Sequence, residues 1–208
     1  MTVTISRLYD SYDNARAAVR DLEAAGIAHS DISIIASNAD NWYTDERKAT
    51  TYPDRDLDGK DDRAEAAGAG AGLGAAAGGV AGLLAGLGVM AIPGVGPVVA
   101  AGWLVSTLAG AGAGALTGGA LGALTQAGVS KEDADVYAEG LRRGGAVVSA
   151  RVPDRDAPRL QALMDRSAVN VGERGAAYRQ AGWKSFNPTG TPYTADQIRR
   201  ERDLYMRR

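Results

Sequence analysis

The sequence of 208 residues contains no cysteine, one histidine and one phenylalanine. Without cysteine the chain forms no disulfide and no thiolate metal site. A single histidine, His29, cannot build a zinc site or a nucleophile triad, and we interpret it as a loop residue. Aromatic residues make up only 6% of the chain, so we expect a small core of aliphatic side chains. The formal net charge of -2 shows no basic excess and argues against a dedicated nucleic-acid-binding protein.

Charged residues are missing altogether between residues 66 and 130, although they make up 23% of the chain. This gap separates two segments with ordinary strand and helix patterns. We therefore divide the chain into the first half of an α+β domain at 1–37, an acidic linker at 38–65, a helical hairpin at 66–129, the second half of the α+β domain at 130–175, and a basic, aromatic C-terminal tail at 176–208.

The first segment is typical of a strand, a helix and a second strand. Val3 and Ile5 alternate with polar residues, as in a strand. Asp10-Ser11 provides cap chemistry for a helix, and Gly26 stands where a left-handed C-cap belongs. Residues 31–36 form the second predicted strand, parallel to the first. The N-terminus lacks the pattern of a cleavable secretory signal, which predicts a cytoplasmic protein or one on the cytoplasmic face of the inner membrane.

The segment after residue 130 supplies complementary elements. Ser130 and Asp133 form a capping pattern for a helix that Gly144 and Gly145 end. Further elements then follow: a strand at 146–152, a short helix opened by Asp156 and Pro158, and a brief last strand at Val169 and Val171. Neither half can bury its apolar face alone, so we expect the two halves to form one α+β sandwich.

The charge-free segment is interpreted as two helices joined by a turn. Residues 92–97 contain two prolines and two glycines, which break a helix. Roughly 25 residues on either side would give helices of about 35 to 40 Å, long enough to cross a hydrocarbon layer of about 30 Å. Such a hairpin would let the chain leave the sandwich and return at a neighbouring point. Trp103 fits either an interfacial anchor or core packing.

Glycine recurs every four residues on both sides of this turn, a pattern called a glycine zipper. The spacing places small residues along one helix face, so that two backbones can approach closely. The predicted helix-packing residues are Gly70, Gly74, Gly78, Gly82 and Gly86 in the first run and Gly102, Gly110, Gly114, Gly118 and Gly122 in the second, where Ser106 continues the period between Gly102 and Gly110. Interleaved leucine and valine residues argue against a flexible linker. A membrane hairpin and a self-association module that excludes water both remain open.

Residues 54–65 fit the calcium-loop pattern D-x-D-x-D-G-x5-E at every specified position. The candidate ligands are the side chains of Asp54, Asp56, Asp58 and Glu65 and the carbonyl oxygen of Lys60. Against this pattern, Pro53 prevents a normal incoming helix, and no second loop is available for pairing. Two interpretations remain: a solvated acidic linker without a cofactor, and a calcium site that couples the ion to the hairpin.

The residues from Tyr178 onward contain seven lysines or arginines and three acidic residues. Thr194 and Gln197 form a capping box ahead of a short terminal helix. The apolar face of that helix is poor, which favours a solvated or subunit-docking tail over an anchor for anionic lipid.

Two stretches of the sandwich resemble the bacterial general stress protein 17M-like (heat-induced stress protein) domain. The first lies within residues 3–36 and includes Leu22-Glu23-Ala24-Ala25-Gly26-Ile27 and Asp31-Ile32-Ser33-Ile34. The second runs from Gly128-Val129-Ser130 to Gly144-Gly145-Ala146-Val147-Val148 and looks like the continuation of that domain after a glycine-zipper insert. The resemblance implies a ferredoxin-like fold and a noncatalytic role in stress. It supplies no catalytic residues.

These patterns predict a noncatalytic stress-associated protein whose hairpin mediates membrane association and homo-oligomerisation. The expected partners are a second copy of the chain and membrane lipid. No nucleophile-base pair, phosphate loop or small-molecule site is identified in the sequence, so we do not expect an enzyme. The alternative is a soluble structural protein that assembles into filaments or shells through stacked hairpins without lipid.

Overall fold

The structure is a computed structural model that describes residues 1–43, 87–105, 119–126 and 128–206. These residues form an α+β fold with one five-stranded antiparallel sheet. The α+β class is therefore as predicted. Most of the acidic linker and most of the glycine pattern lie outside the described residues.

The described residues form five strands and six α-helices. In chain order they are β1 (Thr2–Tyr9), α1 (Tyr12–Ala24), β2 (Ile32–Ser37), β3 (Gly88–Ile92), β4 (Gly96–Gly102), α2 (Gly119–Gln126), α3 (Lys131–Arg142), β5 (Ala146–Pro153), α4 (Ala157–Met164), α5 (Val171–Gln180) and α6 (Ala195–Met206). Single 3-10 turns at His29–Asp31 and Asp154–Asp156 precede β2 and α4. The strand order across the sheet is β1-β5-β2-β4-β3, and every neighbouring pair is antiparallel.

β1 and β2 run parallel to each other, as predicted, but they are not neighbours. β5 lies between them and is antiparallel to both, so that Ser149 stands opposite Ser6 of β1 and Ser33 of β2. A strand-helix-strand unit with a later strand inserted between its two strands is a split βαβ arrangement. The middle strand of this unit comes from the second half of the chain, so the two halves build one sheet.

Local capping chemistry sets the ends of the helices. Ser11 Oγ accepts the N–H of Asn14 at 3.2 Å, and Ser130 Oγ accepts the N–H of Asp133 at 3.1 Å. Gly26 ends α1 with a φ of +92°, a left-handed conformation that glycine adopts without strain. These predictions are confirmed because each depends on contacts within a few residues of the chain.

The centre of the charge-free segment is a β-hairpin, which we call the edge hairpin (residues 88–102). Gly88 lies opposite Ala100 and Ile92 opposite Gly96, while β4 pairs with β2 on its other side. The prediction of helices on both sides of the turn is therefore wrong for these residues. The Pro-Gly turn is real, but the valines and isoleucine beside it favour a strand, and β2 offers them a partner. The remainder of the predicted helical hairpin lies largely outside the described residues.

Helices cover both faces of the sheet. Along β5, Val148 belongs to a buried cluster with α1 and α4, and its neighbour Val147 belongs to a cluster with α3. Alternate residues of a strand point to opposite faces, so a sheet covered on both faces buries consecutive residues. The first cluster includes Val19, Leu22, Ile34, Leu160 and Met164, and the second includes Leu8, Ile35, Tyr137 and Leu141. The core is mainly aliphatic, as the composition predicts.

The C-terminal residues fold onto the domain. Tyr178, Phe186 and Ile198 are buried, with exposed fractions of 1%, 5% and 0%. The interpretation of this segment as a solvated tail is therefore wrong, although the capping box is confirmed: Thr194 N–H donates to Gln197 Oε1 at 2.8 Å. The sequence pattern missed the burial because single apolar side chains, and not a continuous apolar face, make the contact.

The predicted last strand is reduced to one hydrogen bond. Val169 N–H donates to the carbonyl oxygen of Leu8 at 2.8 Å, but Val171 already begins α5. Asn170 ends the extended stretch because its side chain caps α5, accepting the N–H of Glu173 at 3.2 Å. The strand assignment at Val169 and Val171 is therefore wrong.

Candidate functional site

The edge hairpin is the most exposed apolar element of the sheet. β3 pairs with β4 on one side, and no other strand in the described part of the chain pairs with it. Val89 is 45% exposed, and β3 contains neither a charged residue nor a proline. Natural edge strands usually carry such residues, which prevent pairing with another chain. The hairpin is therefore our candidate surface for association.

Both ends of the edge hairpin are fixed to the domain. Leu87, just before β3, is 6% exposed, and its carbonyl oxygen accepts a hydrogen bond from Tyr43 Oη at 3.3 Å. Leu104, just after β4, is 1% exposed, and its N–H donates to Ser33 Oγ at 2.9 Å. The start of β3 lies beside the end of β4, with Gly88 opposite Ala100. The chain therefore enters and leaves the hairpin at neighbouring points.

Two of the predicted helix-packing glycines can be placed. Gly102 ends β4 with a φ of +89°, and a Cβ atom there would lie 2.3 Å from the carbonyl oxygen of Ile32. This close approach is to a strand and not to a helix. Gly122 lies within α2, and a Cβ atom there would meet no atom within 4 Å. The other positions lie outside the described residues: Gly70, Gly74, Gly78, Gly82, Gly86, Gly110, Gly114 and Gly118.

The predicted calcium ligands also lie outside the described residues: Asp54, Asp56, Asp58, Lys60 and Glu65. Within the ranges that the structure describes, no group of three or more histidine, aspartate or glutamate side chains could hold a metal ion. None of the helices placed in these ranges is long and apolar enough to cross a membrane.

A row of buried serines crosses the middle of the sheet. The Oγ atoms of Ser6 and Ser149 are 2.7 Å apart, and Ser33 follows on the next strand. The hydroxyl of Tyr137 on α3 donates to the carbonyl oxygen of Ser6 at 3.0 Å, and burial raises the pKa of this hydroxyl to about 12. The row therefore consists of neutral hydroxyl groups, and through Ser33 it reaches the end of the edge hairpin.

A charged cluster connects α3 with the C-terminal helices. Glu139 is fully buried and accepts hydrogen bonds from Arg143 Nε at 2.7 Å and from Arg142 Nη1 at 3.3 Å. Arg143 also donates to Glu201 of α6 at 2.8 Å. Burial by itself lowers the pKa of Arg143, but the hydrogen bonds to Glu139 and Glu201 outweigh it and raise the pKa. Both carboxylates of the cluster are paired with guanidinium groups, which points to a structural role, while Nε of Arg142 is buried without a hydrogen-bond partner among the described residues.

Sequence reasoning missed this cluster. The signal that could have found it is the spacing of Glu139 from Arg142 and Arg143, three and four residues later on one helix. The pattern alone is typical of an exposed helix face. Only the packing of Tyr178, whose ring lies 4.2 Å from the Arg143 guanidinium carbon, shows that the pair is covered.

A groove of about 430 Å³ lies between β1, α3 and the chain before α5. Arg7 and Asp165 on its wall form an ion pair. This pairing compensates the charge of Arg7, so the groove does not present that guanidinium as an unpaired anion site. Asn170, also on the wall, caps α5 through its side chain, and Asp133 donates its backbone N–H to the capping hydroxyl of Ser130. The side chains of Arg7, Asp165 and Asn170 on the groove wall are thus engaged in holding the fold.

No protein-family model matches the chain, and no curated protein or solved structure matches it. The class of the protein is therefore defined by its own architecture. It is an α+β protein whose five-stranded sheet ends in an uncharged edge hairpin.

Proposed function

We propose that the protein is a noncatalytic association module, linked to stress, that binds copies of itself and the cytoplasmic face of the membrane through its charge-free segment. The observation that carries the proposal is the position of this segment. Its centre forms the open edge of the sheet, with Val89 45% exposed, and the chain has no charged residue from 66 to 130.

Self-association is favoured by the chemistry of β3. An edge strand presents unpaired backbone N–H and C=O groups, which can pair with the same strand of a second copy. In a two-fold arrangement β3 of one copy would lie antiparallel to β3 of the other, around Met90. Such pairing brings no like charges together because the strand contains none.

The glycine pattern supplies the second contact of the proposal. The runs at 70–86 and 106–122 attach to the two ends of the edge hairpin, which are neighbours. Their glycine period of four is suited to close packing of backbones, either within one copy or between copies. We assign lipid contact to these runs and not to the turn at 93–95, because that turn packs against the C-terminal segment.

The fold component of the proposal is a ferredoxin-like unit. β1, α1, β2, β5 and α4 would form its core, with β5 between two parallel strands. The hydrogen bond from Val169 to Leu8 would mark the edge that a fourth strand usually occupies. The link to stress depends on the resemblance of residues 3–36 and of the second half of the domain.

The alternative function is a soluble structural protein that assembles without lipid. Edge pairing through β3 alone closes a two-fold dimer, whereas a second contact through the glycine runs would extend it into filaments or shells. The exposure of Val89 favours this alternative as much as it favours the membrane-bound form. The two functions differ in whether lipid takes part in the assembly, and this difference can be tested.

The test substitutes a glycine in each run: Gly78→Leu and Gly114→Leu. Ala76→Leu is the matched control, because it introduces the same leucine side chain away from the glycine face. In a helix, position 76 lies about 200° around the axis from the neighbouring glycines of the run. Sedimentation velocity without lipid and co-sedimentation with phosphatidylethanolamine–phosphatidylglycerol vesicles measure self-association and lipid binding. We expect both glycine variants, but not the control, to form smaller oligomers and to bind vesicles less. Unchanged behaviour in both variants would refute the proposal, and ordered particles without lipid would favour the alternative.

A further inference from the structure

The turn of the edge hairpin is held by residues 183–194, which we call the C-terminal strap. A Cβ atom on Gly94 would lie 2.6 Å from the carbonyl oxygen of Asn187 and 2.6 Å from Cα of Pro188. A Cβ atom on Gly96 would lie 2.8 Å from Cβ of Pro192. The strap therefore contacts the turn so closely that only glycine fits on the hairpin side.

The other side of the strap is bonded to α3. Phe186 N–H donates to Asp135 Oδ1 at 3.2 Å, and Arg142 Nη2 donates to the carbonyl oxygen of Thr191 at 2.8 Å. The ring of Phe186 is buried in the same apolar cluster as Ile92 and Val95 of the hairpin. The strap thus lies between α3 and the turn and connects them.

The end of the strap is secured by α6. Ile198 has no exposed surface, and its Cγ2 lies 2.4 Å from the position of a Cβ on Gly144, so it fills the space that this glycine leaves. Ion pairs join Arg143 to Glu201 at 2.8 Å and Arg202 to Asp40 at 3.4 Å. α6 is thereby fixed to both halves of the domain, at Asp40 after β2 and at α3.

We propose that the C-terminal strap is a latch that controls the edge hairpin. While the strap is docked, it holds the turn against α3 and keeps β3 and β4 in the sheet. Release of the strap leaves the hairpin attached through the pairing of β4 with β2, through its side chains in the two apolar clusters, and through the ends at Leu87 and Leu104. The hairpin then opens more often, and its strands become available to a second copy. This last step rests on the proposed function, whereas the hold of the strap on the hairpin does not.

The hold of the strap on the hairpin can be tested by removing the hydrogen bond between Asp135 and Phe186, a change that is small enough to leave the fold intact. Asp135→Ala removes the acceptor without changing the apolar core, while Asp135→Asn keeps an oxygen that can accept the same bond. Glu132→Ala, at an exposed position of the same helix, is the control. Hydrogen-exchange rates of the full chain are measured at the amides of Val95 and of β4. Each rate is divided by the rate of the β5 amides in the same sample, so that a change in global stability cancels in the ratio.

We expect the hairpin-to-β5 exchange ratio to rise about fivefold or more in Asp135→Ala, as a lost local bond of about 1 kcal/mol predicts. Asp135→Asn and Glu132→Ala should keep the ratio of the parent chain. Sedimentation of the same samples should show more association in Asp135→Ala alone. An unchanged exchange ratio in Asp135→Ala overturns the latch. A raised ratio without added association supports the hold of the strap and overturns the proposed self-association.

Discussion

Arg143 joins a fully buried carboxylate of α3 to α6. Its Nε donates to Glu139 at 2.7 Å, and its Nη1 donates to Glu201 at 2.8 Å, so one guanidinium bridges two acidic groups from distant parts of the sequence. Glu139 has no exposed side-chain surface, whereas Glu201 is 20% exposed. The two ion pairs of one arginine therefore differ in how strongly water screens them.

This difference predicts unequal effects of two conservative substitutions. Glu139→Gln should lower the free energy of unfolding by about 3 kcal/mol, because it removes the charge that compensates a buried guanidinium. Glu201→Gln should lower it by about 1 kcal/mol or less, as expected for a pair that water reaches. Urea denaturation of both variants measures the two values. Equal losses in the free energy of unfolding of the two variants would contradict the predicted difference between the two ion pairs.

The two placed glycines of the period-four pattern predict opposite responses to alanine. Gly102→Ala should destabilise the fold by about 2 kcal/mol or more, because φ is positive there and the new Cβ would meet the Ile32 carbonyl at 2.3 Å. Gly122→Ala should stabilise α2 by about 0.5 to 1 kcal/mol, since its Cβ has open space in a helix. Thermal denaturation of the two variants compares them directly. A loss of stability in Gly122→Ala would mean that a close contact exists at this position.

The raised pKa of Tyr137 predicts a loss of stability at alkaline pH. Its pKa is about 12 in the fold, against an ordinary value of 10. A pKa that is higher in the folded state contributes stability in full below pH 10, and this contribution falls as the pH rises from 10 toward 12. Tyr137→Phe should cost about 1 kcal/mol at pH 7, through the lost bond to Ser6. The variant and the parent chain should then converge in stability above pH 10, which urea denaturation at several pH values measures. A gap that stays constant across this range would show that the fold does not raise the pKa of Tyr137.

The exposed side chain of Val89 on β3 predicts how self-association can be blocked. Val89→Lys places a charge on β3 and should reduce oligomer size in sedimentation velocity, because two such strands would repel each other when paired. Folding should be little affected, since Val89 is 45% exposed. Leu204→Lys, at a position 61% exposed on α6, is the control and should leave the oligomers unchanged. Equal oligomer size in Val89→Lys and in the parent chain would exclude β3 as the contact.

The sequence was sufficient where structure depends on short distances along the chain. The caps at Ser11, Ser130 and Thr194 each involve a residue three positions away, and all three were predicted. The parallel direction of β1 and β2 also followed from the strand-helix-strand order of the first segment. The α+β class required only that two amphipathic halves share a core.

The sequence was insufficient where the pairing or packing partner of a segment lies far away along the chain. Residues 88–102 become strands because β2, more than 50 residues earlier, offers an edge, and nothing in their own pattern records this. Glycine and valine occur in both helices and strands, so the period of four was misleading at Gly102. Phe186 and Ile198 are isolated apolar residues: Ile198 fills the space that Gly144 leaves, and Phe186 packs in the same apolar cluster as Ile92 and Val95 of the hairpin.

The position of β5 between β1 and β2 affects the order in which the chain can fold during its synthesis. β5 ends at Pro153, 51 residues after the end of β4 at Gly102. At about 5 to 20 residues per second, a ribosome needs roughly 2 to 10 s to synthesise that distance. Throughout this interval the nascent chain displays its uncharged stretch while β1 and β2 lack the strand that joins them. Each newly synthesised chain is therefore incomplete for several seconds before β5 can join the sheet. Chaperones that bind uncharged segments can bind the chain during this interval.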